Sequence, residues 1–474
     1  MKQDIVIPYV DDVFEFLGQC IDRPADQIRI ITMFLTAFVV CYFYRYIDSP
    51  KSRYAYSIIM GFLIQFCMFR EGWVHIFIVM IVTFFMLRVL DRETQAEYVF
   101  AFNIAYLSVL HLYNILTDFG GWTLDVTTFM MPFVCRLSSL GYCYRDGMDE
   151  NKGKLSKEQE ERKLERLPDF HEILCYSVFP GGNVWGPFFE FSHLKDFIHK
   201  KGKYFSIPDT TMVAISKLAS GLMFMSLSII IPMFYDTYHC GEPAFKEYSF
   251  LYKNFFYYIA MAGSRYKYYS AWYLSDCSVY MSGLSYNGRD KNGEHKFDRI
   301  VSIRGYLIEI GTNPREWIDH WNHQIAEWLR FYVFLRFKSV YPKSNFTATL
   351  FTMMVSAFWH GFYPVYYAFF FFSTLVAEST KDIYRARHLF SWMPPTITPI
   401  LLHILTLQGL NFLGISFVLL TFDKAHNFYS SVYYDVPIIW FIIIVLFRFT
   451  PLRKFAKKGA KSKDETKDKL KKTQ

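Results

Sequence analysis

The chain has 474 residues, 52% of them apolar and 20% aromatic, with 50 Phe, 35 Tyr and 10 Trp. Charged residues make up 20%, below the roughly 25% of soluble globular chains, and long stretches carry almost none. These numbers exclude an ordinary soluble domain. So many Tyr and Trp suit a chain that meets the membrane–water interface repeatedly, and the expected fold class is an all-α polytopic membrane protein.

A membrane helix needs about 20 mostly apolar residues. The amino-terminal "MKQDIVIPYVDDVFEFLG" lacks a basic region followed by an apolar one, so the first membrane segment is expected to act as an uncleaved anchor. Candidate segments then run over Ile28–Tyr44, Tyr56–Phe69, Trp73–Leu90 and Tyr98–Leu116. Thr127–Tyr144 is less apolar, and Pro132 and Arg136 predict an interfacial or broken helix there. Met148–Asp169, "MDENKGKLSKEQEERKLERLPD", is a charged loop outside the membrane. Apolar runs resume over Phe170–Phe179, Met212–Phe234, Phe250–Leu274, Phe346–Ala377, Thr396–Phe422 and Val436–Phe447. The total is roughly nine to eleven membrane segments, read as one helical membrane domain over residues 1–450. No internal repeat is visible, which weakens an inverted-repeat transporter reading.

Residues 451–474 form a basic tail: from Arg453 onward ten Lys/Arg face Asp464, Glu465 and Asp468. Positive segments resist translocation, so the carboxyl terminus is expected in the cytosol, near anionic lipid headgroups rather than nucleic acid. The eight cysteines are scattered, with no spacing for zinc and no disulfide framework. No metal site is expected.

"SAFWHGFYP" (Ser356–Pro364) interrupts an apolar run in which His360 is the only side chain titrating near neutral pH. Gly361 and Pro364 predict a kink or break. Such a break at membrane depth requires cover from protein or a watery cavity, and an ionisable residue beside it is a functional candidate. A core histidine hydrogen-bonded to a neighbouring helix gives the same pattern. Earlier lies "DHWNHQIAEWLRFYVFLR", read as an amphipathic helix with Asn322 on the face of Ile325, Ala326, Leu329 and Val333, and with His323, Glu327 and Arg330 on another. A neutral histidine with no Ser or Cys at a fixed spacing suits a general base acting on a substrate hydroxyl. An asparagine can donate to an oxyanion or hold that hydroxyl. The pair predicts acyl transfer to an alcohol in one displacement, and no G-x-S-x-G supports a serine hydrolase. A proton-relay transporter would need several ionisable groups along successive helices, and these are sparse.

The stretches "WNHQIAEWL" (Trp321–Leu329) and "SAFWHGFYPVYY" (Ser356–Tyr367) together resemble the membrane-bound O-acyltransferase family, in particular its lysophospholipid acyltransferase branch. "VWGPFFEFSHLKDFI" (Val184–Ile198), "RYKYYSAWYLSDCSVYMSGLSYNG" (Arg265–Gly288) and "GISFVLLTFDKAHNFYSSVYY" (Gly414–Tyr434) agree. The resemblance spans about half the chain, from near Phe179 to near Tyr434. It implies a helical bundle enclosing a catalytic cavity, acyl-CoA as co-substrate with no other cofactor, a lysophospholipid acceptor, and His360 and Asn322 as catalytic residues. Protein, sterol or diacylglycerol acceptors remain open within the family. Val365, where relatives usually carry Gly, and Asp276-Cys277, where many carry Glu-Gly, depart from the pattern near the acyl or headgroup pocket.

Trp321, Trp359, Arg265, Lys267, Tyr268, Trp272 and Asn287 are candidate substrate-binding residues. Arg265 and Lys267 among aromatics would be satisfied by phosphate, or by snorkelling to the interface. Glu190 is expected to be structural. Lys471 and Lys472 resemble a dilysine signal for the endoplasmic reticulum. Asn345 opens a glycosylation sequon that abuts a membrane segment and is expected to be unused.

Overall fold

The computed structural model describes residues 7–121, 125–148, 150, 153–386, 392–394 and 396–451. The basic tail from residue 452 lies outside the described residues, as does its dilysine-like end. Among the described residues the chain is helical throughout, with a single isolated β-bridge between Arg289 and His295. Five helical stretches are long and apolar enough to cross a membrane: Ala25–Tyr46, Pro50–Val89, Gln95–Thr117, Thr211–Met233 and Ile397–Leu419. A bent pair, Phe422–Ser431 with Asp435–Phe447 at 75°, makes a sixth. Other expected segments are helices that fall short by this measure. Asn345–His360 has only 16 residues, and Phe250–Ser282 carries Lys253, Arg265, Lys267 and Asp276.

The chain divides into two compact units. The first comprises Met1–Ser226, Lys267–Ile303 and His323–Tyr332. Its 40-residue apolar stretch Pro50–Val89 folds back on itself. Arg70 has a φ of +50°, and the Phe62 and Trp73 rings lie 4.7 Å apart although eleven residues separate them. A straight helix would place them about 16 Å apart along its axis. The two arms are Pro50–Phe69 and Trp73–Val89.

Thr127–Asp146 corrects the expectation of a broken helix. It runs unbroken through Pro132, and Arg136 within it is fully buried. Arg136 Nη2 donates to the Pro187 carbonyl at 2.8 Å, and its guanidinium lies 4.1 Å from the Phe189 ring centre. A buried cation is tolerated where carbonyl dipoles and aromatic faces replace water. The segment Pro180–Glu190 that supplies these partners is itself irregular and almost wholly buried. Asn183 holds it, donating to the Gly61 carbonyl at 2.8 Å and accepting from Gln65 Nε2 at 2.6 Å. Irregular backbone inside a membrane protein requires this kind of internal satisfaction.

The second unit comprises Leu227–Tyr266, Arg304–Asn322 and Val333–Gln474. Its core gathers Tyr257, Phe412, Phe428, Val436 and Trp440 from four helices. A smaller cluster joins Val365 and Tyr366 to Leu420 and Ala425.

Gly61 is where the first unit has least room. A Cβ there would stand 1.6 Å from the Val178 carbonyl oxygen, against backbone that cannot rotate away. Gly61→Ala is therefore expected to destabilise the protein by about 3 kcal/mol or more, at the upper end of overpacking costs. Thermal unfolding of the purified protein checks this, and an unchanged midpoint would refute the close approach.

Candidate active site

The helix Asn345–His360 begins at Ser344, whose Oγ accepts from the Thr347 amide at 3.1 Å. It ends at His360, as the Gly and Pro spacing predicts. Gly361 takes a φ of +126°, a conformation closed to side-chain-bearing residues, and Pro364 opens the next helix, Pro364–Ala386. The histidine is thus the last residue before a break inside the apolar run. Its half-buried imidazole sits among aromatic rings. Phe370 stacks on it at 5.3 Å, Phe417 meets it edge-on at 4.9 Å, Trp359 lies at 4.7 Å and Tyr366 at 6.1 Å. Tyr366 and Phe417 also stack on each other at 4.2 Å. Helices Pro364–Ala386 and Ile397–Leu419 therefore fix the plane of the imidazole.

Asn322 corrects the helical-wheel reading. It lies not on a helix but in a two-residue turn, Trp321-Asn322, between helices Pro314–His320 and His323–Trp328. Its φ is +42°, in the left-handed region that Asn enters more readily than most residues. The wheel failed because it assumed one continuous helix where the chain turns. The helix leading into this turn is capped by Asn313, whose Oδ1 accepts from the Glu316 amide at 2.9 Å, with Pro314 at its first position. It packs against Pro364–Ala386 and Ile397–Leu419, the same two helices that enclose His360. His403 Nδ1, on the second of these, lies 2.9 Å from the Gly311 carbonyl. Both catalytic candidates are thus mounted on one helix pair within the second unit. Trp321 stacks on Trp317 at 4.7 Å and 10°, and Trp359 is buried beside His360.

Arg265 is buried in the second unit and held by protein groups. Its guanidinium makes a two-pronged contact with Glu309, Nε to Oε1 at 3.1 Å and Nη2 to Oε2 at 3.0 Å, and Nη1 donates to Asn411 Oδ1. The counter-charge that sequence reasoning sought in a phosphate is supplied by Glu309. Lys267, Tyr268, Trp272 and Asn287 belong to the first unit. Lys267 is exposed, while Tyr268 and Trp272 lie ring to ring at 5.8 Å. Asn287 accepts from Lys203 Nζ at 2.7 Å and donates to Asp298 Oδ1 at 2.7 Å. Asp276 accepts from the Ser302 amide at 2.9 Å and from its hydroxyl at 2.5 Å. Cys277 is fully buried, its thiol directed at the Leu274 carbonyl. Glu190 is buried between Arg162 Nε at 3.0 Å and the Tyr332 hydroxyl at 2.8 Å, the structural placement expected of it.

Sequence reasoning missed Phe370, Phe417, Glu309 and Asn411. Phe417 falls in the block Gly414–Tyr434 that carries the family resemblance, but its spacing says nothing about a histidine 57 positions earlier. Among the described residues, no group of three His, Cys, Asp or Glu side chains is placed to hold a metal ion.

Residues 27–422 match the membrane-bound O-acyltransferase (MBOAT) family. The chain is 26% identical over 469 residues to "Membrane-bound glycerophospholipid O-acyltransferase 2" of Gallus gallus, covering 93% of this chain and 88% of that protein. It is 26% identical to the Homo sapiens protein of the same name, over 91% and 86% of the two chains. It is also 26% identical to "Lysophospholipid acyltransferase 2" of Arabidopsis thaliana, over 90% and 94%.

The left-handed turn separates the two things Asn322 does. Asn322→Ala removes the carboxamide and also strains the turn, by about 1 kcal/mol. Asn322→Gly removes the carboxamide and relaxes the turn. Activity is expected to fall strongly and alike in both, with only the alanine variant losing thermal stability. Full turnover in Asn322→Gly would show that the residue serves the turn alone.

Proposed function

Since the chain belongs to the membrane-bound O-acyltransferase family, we propose that it transfers the acyl group of an acyl-CoA to the free hydroxyl of a lysophospholipid, with His360 as general base. The observation that carries this reading is the aromatic enclosure of His360 at a helix break, framed by the helix pair that also holds the segment leading to Asn322. The relatives' names, glycerophospholipid and lysophospholipid acyltransferases, support the acceptor class.

In the proposed reaction the imidazole takes the proton of the acceptor hydroxyl as its oxygen attacks the thioester carbonyl carbon. The carbonyl π electrons move onto oxygen, and Asn322 orients the hydroxyl or donates to that oxyanion. Collapse of the adduct expels the CoA sulfur, which recovers the proton from His360. Atoms and charges balance without a metal or a redox partner.

The charge distribution of the first unit supports entry of the polar substrate from the cytosol. One end of its helices gathers Arg53, Arg88, Arg92, Arg145 and the charged loop through Asp169. These are joined by bonds such as Arg88 Nη2 to the Pro168 carbonyl at 2.6 Å and Arg92 Nε to the Tyr144 carbonyl at 2.9 Å. At the other end Asp11 pairs with Arg70, and Asp125 accepts from Asn114 at 2.5 Å. The positive-inside rule assigns the basic end to the cytosol. With the basic tail and Lys471-Lys472 of the sequence, it supports the reading of a multi-pass protein of the endoplasmic reticulum membrane with a cytosolic carboxyl terminus.

His360→Ala is expected to fold and insert as the parent does, and to lose about 10²–10⁴-fold in turnover. A panel of acyl-CoAs and lysophospholipids, assayed at equal protein level, checks the reaction and its specificity together. Parental turnover in the variant would end the general-base assignment. Labelled acyl-CoA without acceptor should leave no hydroxylamine-sensitive label on the protein. An acyl-protein that is chased into product by added lysolipid would replace direct transfer with a covalent route.

A further inference from the structure

Arg299 differs from most of the buried and half-buried arginines of the first unit. Arg53, Arg88, Arg92, Arg136, Arg145, Arg162 and Arg166 each spend their guanidinium on carbonyls or carboxylates. Arg299 has no side-chain hydrogen bond and no ion pair among the described residues. Its Nε is buried without a partner, while the residue as a whole is half-buried. The inner nitrogen is thus dry and the outer fork open. Its backbone is fixed, since the amide donates to the Ser285 carbonyl at 3.2 Å, and its Cζ lies 6.0 Å from the ring centre of buried Tyr204.

Two further cationic or protonatable groups stand by it. Lys203, one residue before Tyr204, is exposed and steadied by Asn287 at 2.7 Å. His193, on helix Phe191–Ile198, has its imidazole held well below the usual range by burial and then by Arg299, Arg162 and Lys203. Of the acids nearby, Asp298 is tied to Lys296 at 3.0 Å and to Asn287, and neither Asp196 nor Glu161 makes an ion pair with Arg299 or Lys203 among the described residues. A buried donor without a partner is costly to keep, and a planar fork beside an ammonium matches two oxygens of a phosphate.

We propose that Arg299 and Lys203 form a phosphate-binding site in the first unit. Arg299 grips two phosphate oxygens and Lys203 neutralises the remaining charge. Two sources carry this chemistry into the proposed reaction: the phosphorylated nucleotide end of the acyl donor and the headgroup phosphate of the acceptor. Only the identity of the source rests on the acyltransferase reading; the site does not.

The test measures binding to the purified full-length protein, by calorimetry, of two soluble probes, adenosine 3′,5′-bisphosphate and glycerol 3-phosphate. Variants are Arg299→Gln, Arg299→Lys, Lys203→Gln and, as a control for diffuse charge, the exposed Lys291→Gln. Arg299→Gln is expected to weaken at least one probe about tenfold or more, the value of a lost charge-assisted contact. Arg299→Lys should fall between, Lys203→Gln should weaken the same probe, and Lys291→Gln should bind as the parent does. Loss confined to the bisphosphate assigns the nucleotide, and loss confined to glycerol phosphate assigns the headgroup; either supports the site. Parental binding of both probes in both Arg299→Gln and Lys203→Gln would overturn it, as would equal weakening by Lys291→Gln. Lys203→Gln carries the test if Arg299→Gln fails to fold. A protein that binds a probe through Arg299 yet transfers no acyl group would keep the site and lose the acyltransferase reading. One that transfers but binds neither probe would do the reverse.

Discussion

A lipid bilayer supplies no hydrogen bonds, so every break in a helix must be repaid by protein. The break between His360 and Pro364 is the constraint from which the candidate site follows. Proline lacks an amide and clashes with the preceding turn, and Gly361 takes a backbone conformation that only glycine adopts freely. The helix must therefore stop at His360. Once it stops, the imidazole stands at the carboxyl-terminal end of the helix. The helix that restarts at Pro364 brings Tyr366 and Phe370 around to enclose the ring it has just exposed. One short stretch of sequence thus both opens the site and builds two of its walls.

The same requirement explains how polar groups are distributed elsewhere. In the first unit, Arg136 rests on a carbonyl and a ring face, and Gln65, Asn183 and Gly61 close a chain of hydrogen bonds through an irregular segment. In the second, Arg265 is matched by Glu309 with Asn411 completing the contact. Desolvating such a pair costs nearly what its attraction returns. Its worth is then in register: breaking it would strand a charge, so helix Gly305–Glu309 is held to one position against Phe250–Ser282 and Ile397–Leu419. Gly305–Glu309 precedes the segment that ends at Asn322, so this pairing bears on where that segment lies.

What the sequence made legible follows from the range of each interaction. The helical class, the fold-back near Arg70–Gly72 and the break at Gly361–Pro364 all rest on local properties: run length, the interruption between two apolar runs, proline and glycine. His360 was legible for the same reason, as the one titratable group in a run that should have none. Asn322 was singled out by residue type but misplaced, because a wheel drawn through Trp321 to Val333 cannot register a left-handed residue at its start. Pro132 and Arg136 misled in the opposite direction. Each is locally disruptive, yet the helix runs unbroken through Pro132, and Arg136 is accommodated by the Pro187 carbonyl 51 residues away. Arg265 pairs across 44 residues with Glu309, a separation at which composition carries no signal.

The cysteines bear on mechanism as much as on packing. Six of the eight are buried, and Cys277 and Cys135 direct their thiols at helix carbonyls. Cys143 lies 3.2 Å from the Tyr332 hydroxyl beside Glu190. A covalent route needs a thiol that can ionise and reach the acyl donor, and burial works against both in these six. Direct attack by the acceptor asks less of the protein: one base of fixed orientation and one donor near the developing charge. His360 and Asn322, framed by the same two helices, are residues of the kinds that this chemistry requires, and its remaining demands fall on recognition of the two substrates.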